Sequence, residues 1–117
     1  MDIERFRDFC LGLKGVSEGF PFDADTLVFK VMGKMFALTD VETFESIALK
    51  CDPEKAVELR ERYPAVQPGY HMSKTHWNTI YMDGSLTDSL IMEWTLHSYE
   101  QVVAGLTKKL KQQLAEL

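Results

Sequence analysis

Residues 68–84, PGYHMSKTHWNTIYMDG, crowd two imidazoles (His71, His76), two phenols (Tyr70, Tyr81), Trp77, Asn78 and Lys74 between a Pro-Gly and an Asp-Gly pair. Imidazoles can ligate a metal or carry a proton, and flat rings beside a lysine can stack on bases or hold a peptide. The spacing argues against metal. His71 and His76 stand five residues apart across a loop-to-strand boundary, and His97, Cys10 and Cys51 are scattered elsewhere. There is no HExxH, CxxC or EF-hand pattern, so neither a metal nor a cofactor is expected. Nucleophilic catalysis needs a nucleophile held beside a base, and Cys51, Ser73, Thr75 and Ser98 are the candidates. None has a nucleophile elbow around it, and the glycines are isolated at turns instead of forming a phosphate cradle. Asp83, Asp88 and Glu93 read equally well as a turn, a helix start and a solvated helix face. The expectation is a binding surface and no enzyme.

The elements that must carry this surface follow from composition and pattern. At 117 residues, with 45% apolar and 26% charged residues, the chain is one ordinary globular domain, residues 1–117. Folding at this length removes roughly two-thirds of the extended chain's surface from water. No apolar run approaches the ~20 residues that span a bilayer. The start, MDIERFRDFCLGLKG, mixes acidic with apolar residues and has no small-residue cleavage site, so a cytoplasmic protein is expected. Two cysteines do not make a disulfide framework and read as reduced, buried thiols. A net charge of −5 works against general attraction to phosphate backbones, so any nucleic-acid role requires a segregated basic face.

Asp2 can cap a first helix with Phe6 and Cys10 inward and Gly15 at its end. DTLVFKVMGKMFALTD then reads as two strands about a Gly33-Lys34 turn, with Met32 facing Met35. Alternation assigns Leu27, Phe29, Val31, Phe36 and Leu38 to the core face, and Val28, Lys30, Met32, Met35, Ala37 and Thr39 to the other. TFESIALKC adds a strand with Ile47 and Leu49 inward, which places Lys50 on the same outer face as Lys30. CDPEKAVELRERYP is a helix by its Asp52 cap, Pro53 at the first position, early Glu54 and late Arg60 and Arg62, with Ala56, Val57 and Leu59 inward. In the strand that follows, Trp77, Thr79 and Tyr81 share one face and His76, Asn78, Ile80 and Met82 the other; either could be core, leaving Trp77 as a packed residue or an aromatic platform. The C-terminal stretch is a long helix bent or broken at Gly105-Leu-Thr. This succession predicts an α+β fold, order α-β-β-β-α-β-β-α, with an antiparallel sheet covered by helices on one face.

The combination of FPFDADTLVFKVMGKMFAL, LKCDPEKAVELRERYPAVQPGYHMSKTHWNTIYMDG and HSYEQVVAGLTKKL resembles the MmcQ/YjbR family of small bacterial proteins, from about Phe6 to Leu110. The resemblance implies a compact fold similar to YjbR-like, frataxin-like and secretion-chaperone-like architectures. It also implies a predicted DNA-binding role, by analogy with a double-wing sheet surface. Positions matching the family pattern include Lys30, Gly33, Lys34, Lys50, Pro68, Gly69, Tyr70, His71, Lys74, His76, Trp77 and Asn78; Thr87 and Thr107 stand where proline is expected. The leading reading is a DNA-binding domain with Lys30, Lys34, Lys50 and Lys74 on phosphates and Tyr70, His71, His76 and Trp77 on bases or sugars. Its rival is a protein-interaction or chaperone-like module using the same face, favoured by the acidic balance and the accessible Met32 and Met35. A third reading is a small acidic metabolite held by the same lysines and histidines.

Overall fold

The computed structural model describes residues 1–69 and 72–117. The elements are α1 (Ile3–Leu11), β1 (Val16–Gly19), β2 (Thr26–Val31), β3 (Lys34–Asp40), β4 (Ser46–Lys50), α2 (Pro53–Arg62), β5 (Val66–Pro68), β6 (Trp77–Tyr81), α3 (Asp88–Ala104) and α4 (Lys108–Ala115). The expected α+β order is present, with short β1 added at an edge and the last helix divided at residues 105–107. Among the described residues the strands form one six-stranded antiparallel sheet in the order β1-β2-β3-β4-β6-β5. The helices gather on one face, α3 lying across β2, β3 and β4. No described helix is long and apolar enough to cross a membrane.

Helix starts follow local chemistry. The Asp2 carboxylate accepts from the Arg5 amide at 2.9 Å, and Asp52 accepts from Lys55 N with Pro53 next in sequence. Thr87 and Thr107, the two departures from the family pattern, are caps as well: their hydroxyls accept from Leu90 N and Leu110 N. A threonine oxygen can satisfy one free amide at a helix start, whereas a proline there has no side-chain acceptor to offer. On α2, Ala56 and Leu59 are buried but Val57 is exposed, contrary to its expected inward position.

The β2–β3 hairpin departs from the sequence reading twice. Val31 pairs with Lys34, so the turn is Met32-Gly33, one residue earlier than expected. Both turn residues have positive φ, 49° and 84°, the requirement of the hairpin turn whose twist matches its strands. Further along, Phe29 pairs with Ala37 but Lys30 with Met35, so Phe36 is an extra residue bulged out of β3. Phe36 and Ala37 are both fully buried, and the phase of the strand reverses beyond them. Thr39 is therefore buried on the helix side while Leu38 is on the open face, the opposite of plain alternation.

The bulge leaves backbone groups in need of partners, and α3 supplies one. The Ser98 hydroxyl, fully buried, accepts from Lys50 N at 2.8 Å and donates to Phe36 O at 2.5 Å. One side chain thus bridges the gap in the β3–β4 ladder. The remaining core joins Phe6, Phe29, Phe36, Ile47, Leu49, Ile80 and Trp94, with Cys10 and Cys51 buried as free thiols.

Candidate binding face

Strand pairing sorts the open face into three cross-strand rows. Thr26 and Asp40 are paired, as are Ser46 and Tyr81, and these form the row at one end. Val28, Leu38, Ala48 and Thr79 form the middle row, continuous across four strands. Lys30 pairs with Met35 and Lys50 with Trp77 in the third. Because alternate strands run in opposite directions, the end of β2, the start of β3, the end of β4 and the start of β6 meet at one edge of the sheet. Lys30, Lys34, Lys50 and Lys74 gather there, although they are distant in sequence.

Two rims narrow this face to a groove over β3 and β4. On one side the β1–β2 connection carries Phe22, 62% exposed, and on the other stand Met72 and Tyr81. The groove encloses about 670 Å³, with Leu38 and Ala48 in its floor. Val28 belongs to the same face but is buried, next to Phe20 and Pro21. At the end opposite the lysines, Asp23, Asp40 and Glu45 line the groove. Asp23 accepts from Thr26 N at 2.7 Å, Asp25 N at 2.9 Å and the Thr26 hydroxyl. The Thr26 amide above all holds its pKa below the usual carboxylate value, so it carries its charge at neutral pH. Asp40 accepts from Glu42 N and Thr43 N, shaping the turn into β4.

Of the residues singled out from sequence, Lys30 and Lys50 share the open face and are half-buried. Lys34 is exposed but pairs with Val31, on the helix side of the sheet. Lys74 and His76 are exposed in the turn before β6. That turn is tied to α2, since the Arg60 guanidinium donates to both Lys74 O and Asn78 Oδ1, and Asn78 donates to Ala56 O. Trp77 is only 8% exposed, so it is packed as one alternative expected, but its register puts it on the open face and not under a helix, and its ring offers little free stacking surface. The backbone of Gly69 presses against it: a Cβ there would lie 2.9 Å from the Trp77 carbonyl oxygen. Tyr70 and His71 lie outside the described residues. The acidic end was not singled out from sequence. The signal for it was the run Phe20-Pro21-Phe22-Asp23, two aromatics in a turn-rich segment with no periodic face to bury them.

Burial holds both thiols in the protonated form, the weaker nucleophile. Burial pushes the Cys51 thiol up to about 11 and raises Cys10 further still, so both stay protonated at neutral pH. His97, also lining the small interior space beside Cys51, accepts from Asp52 N through Nε2 at 3.2 Å. Burial, helped by the Lys55 charge and opposed by Asp52 and Glu100, lowers its pKa below the ordinary imidazole value of 6.5. The folded state thus prefers neutral His97, and the unfolded state binds the proton first as pH falls. Its stabilisation is present above the ordinary value and is lost as pH drops through the depressed one. Urea melts across that window should show His97→Gln flattening the acid-side loss; an unchanged profile would remove His97 as its source. Among the described residues no three His, Cys, Asp or Glu side chains are grouped as metal ligands.

A family model described as YjbR matches residues 11–101. The chain is 34% identical over 118 residues to "Uncharacterized protein YjbR" of Escherichia coli (strain K12), covering the full length of both. It is 35% identical over 107 residues to "Uncharacterized protein YbdF" of Escherichia coli O157:H7, covering 91% of this chain and 88% of that one. Among solved structures, Deinococcus radiodurans protein DR2400, described by its domain DUF419, superposes with a TM-score of 0.89 at 40% identity, covering 97% of this chain and 88% of the other. A Pseudomonas syringae protein gives a TM-score of 0.73 at 26% identity, covering 86% and 98%. The match over most of the chain, the full-length relative and the shared fold agree with the motifs read from sequence: the chain belongs to the YjbR family.

Proposed function

We propose that the chain is a non-enzymatic binding module whose open sheet face holds a segment of a partner protein. The observation that carries this is the groove over β3 and β4, with its Leu38 and Ala48 floor, exposed aromatic rim and Asp23, Asp40 and Glu45 at one end. Apolar and aromatic lining suits side chains of a polypeptide, while carboxylates repel a phosphate backbone. Protonated Cys51 and Cys10 favour a binding role over covalent chemistry.

Nucleic-acid binding is the second reading, and one observation favours it: Lys30, Lys34, Lys50 and Lys74 converge on one end of the sheet. With one of the four facing the helix side, they would neutralise about three phosphates, giving a slope of log K against log salt near −3.

Two measurements separate the readings. A bacterial extract is passed over wild-type protein and Ala48→Arg, which adds a long side chain to the groove without emptying the core. A mixed pool of duplex and single-stranded nucleic acid is titrated at several salt concentrations. We expect a protein retained by wild type and lost with Ala48→Arg, with nucleic-acid binding weak throughout. Tight DNA binding that Ala48→Arg preserves, while Lys50→Ala and Lys74→Ala each reduce the slope by about one, would reverse the order of the two readings.

A further inference from the structure

We infer that the segment held in this groove is an amphipathic helix lying along β3 and β4, with basic residues toward Asp23, Asp40 and Glu45 and acidic residues toward Lys30 and Lys50. The inference rests on the protein-binding reading and specifies its ligand.

Helical form follows from what the floor lacks. The backbone groups of β3 and β4 in the floor are engaged with neighbouring strands, and the floor between them is Met35, Leu38 and Ala48, with Ser46, Thr79 and Tyr81 to one side. An extended segment laid over that floor would bury amides and carbonyls against Met35, Leu38 and Ala48, which cannot pair with them. A helix satisfies its own backbone and presents only side chains. Its diameter of about 10–12 Å suits a channel floored by two strands about 4.8 Å apart and bounded by raised rims.

Charge order follows from the three rows. Ser46 and Lys50 mark the acidic and basic ends on one strand, four residues apart, a span of about 13 Å. A helix rising 1.5 Å per residue covers that span in about nine residues, with its apolar stripe over Leu38 and Ala48. Phe22 and Tyr81, exposed beside the acidic end, can receive a lysine or arginine side chain against their rings. The helix dipole fixes direction, because the partial positive charge of the N-terminus is favoured over the carboxylates and the C-terminus over the lysines. The ligand therefore carries basic residues in its first turn and acidic residues in its last. That order is unfavourable for an isolated helix, so such a segment would gain helicity on docking.

The probe is a display library of three-turn amphipathic helices with charged positions randomised, selected on the full chain. Enriched sequences should be basic at the N-terminal end and acidic at the C-terminal end, and Ala48→Arg should abolish their binding. Their synthetic peptides should bind about tenfold more weakly to Glu45→Lys and to Lys50→Glu, and a peptide whose basic first turn is replaced by glutamates should bind Glu45→Lys better than wild type. That reversed preference, beside unchanged urea melts, excludes misfolding as the cause of the single losses. Enriched helices of uniform or opposite charge order would overturn the inference and leave the partner reading intact. Failure to enrich any helix, beside an extract protein lost with Ala48→Arg, would do the same. Failure of both would remove the partner reading as well.

Discussion

Phe36→Ala is expected to lower the stability of the fold by about 3–5 kcal/mol in urea or thermal melts, the usual loss for a core aromatic. Phe36 is fully buried at the β3 bulge, and its ring meets Tyr99 of α3 edge-on at 5.6 Å. Phe29→Ala should cost a similar amount, since Phe29 is equally buried and packs edge-on against Phe6 of α1 at 5.7 Å. Against a total stability of about 5–15 kcal/mol, either loss is a large fraction of the whole. Met32→Ala, in the half-buried turn, should cost much less. Equal losses at all three positions would mean that the assignment of Phe29 and Phe36 to the core and of Met32 to its margin is wrong.

Ser98→Ala should remove about 2–4 kcal/mol, a large effect for the loss of one oxygen. The change leaves two buried backbone groups, Lys50 N–H and Phe36 C=O, without the hydroxyl that joins them, and each unsatisfied group costs about 1–3 kcal/mol. Thr95→Val is the control, because the Thr95 hydroxyl is equally buried but donates to Ile91 O one helical turn back. Its loss should be smaller, since that carbonyl belongs to the helix's own hydrogen-bond ladder. Native-state hydrogen exchange offers a second readout: the Lys50 amide should exchange faster in Ser98→Ala and remain protected in Thr95→Val. Equal destabilisation by the two variants would deny Ser98 its bridging role.

The sheet-face residues illustrate how far pattern alone could reach. Lys30 and Lys50 were placed on a common outer face from alternation, and pairing through β3 puts them there. Leu38, Ala37 and Thr39 were inverted, because one extra residue shifts every later side chain by half a period. Nothing in KMFALTD marks Phe36 as that residue. Its accommodation depends on Ser98, sixty-two positions away, filling the gap in the ladder. Trp77 was open to either reading because a strand's two faces are equivalent until something packs on one of them.

By itself the sequence determined what is decided within a turn or two of chain: the helix starts at Asp2 and Asp52, the break at Gly105, the strand-rich middle, and the motifs that mark the YjbR family. These depend on side chains reaching nearby backbone and on periodicity, which are local effects. Only the tertiary structure decided the phase of β3, the burial of Trp77, and the separation of charge along the open face. Asp23 and Glu45 come from two different loops, Asp40 from the end of β3, and Lys30 and Lys50 from the ends of β2 and β4. They occupy opposite ends of one sheet face because antiparallel pairing folds distant segments into register, a nonlocal outcome set by burial of the helix-covered face.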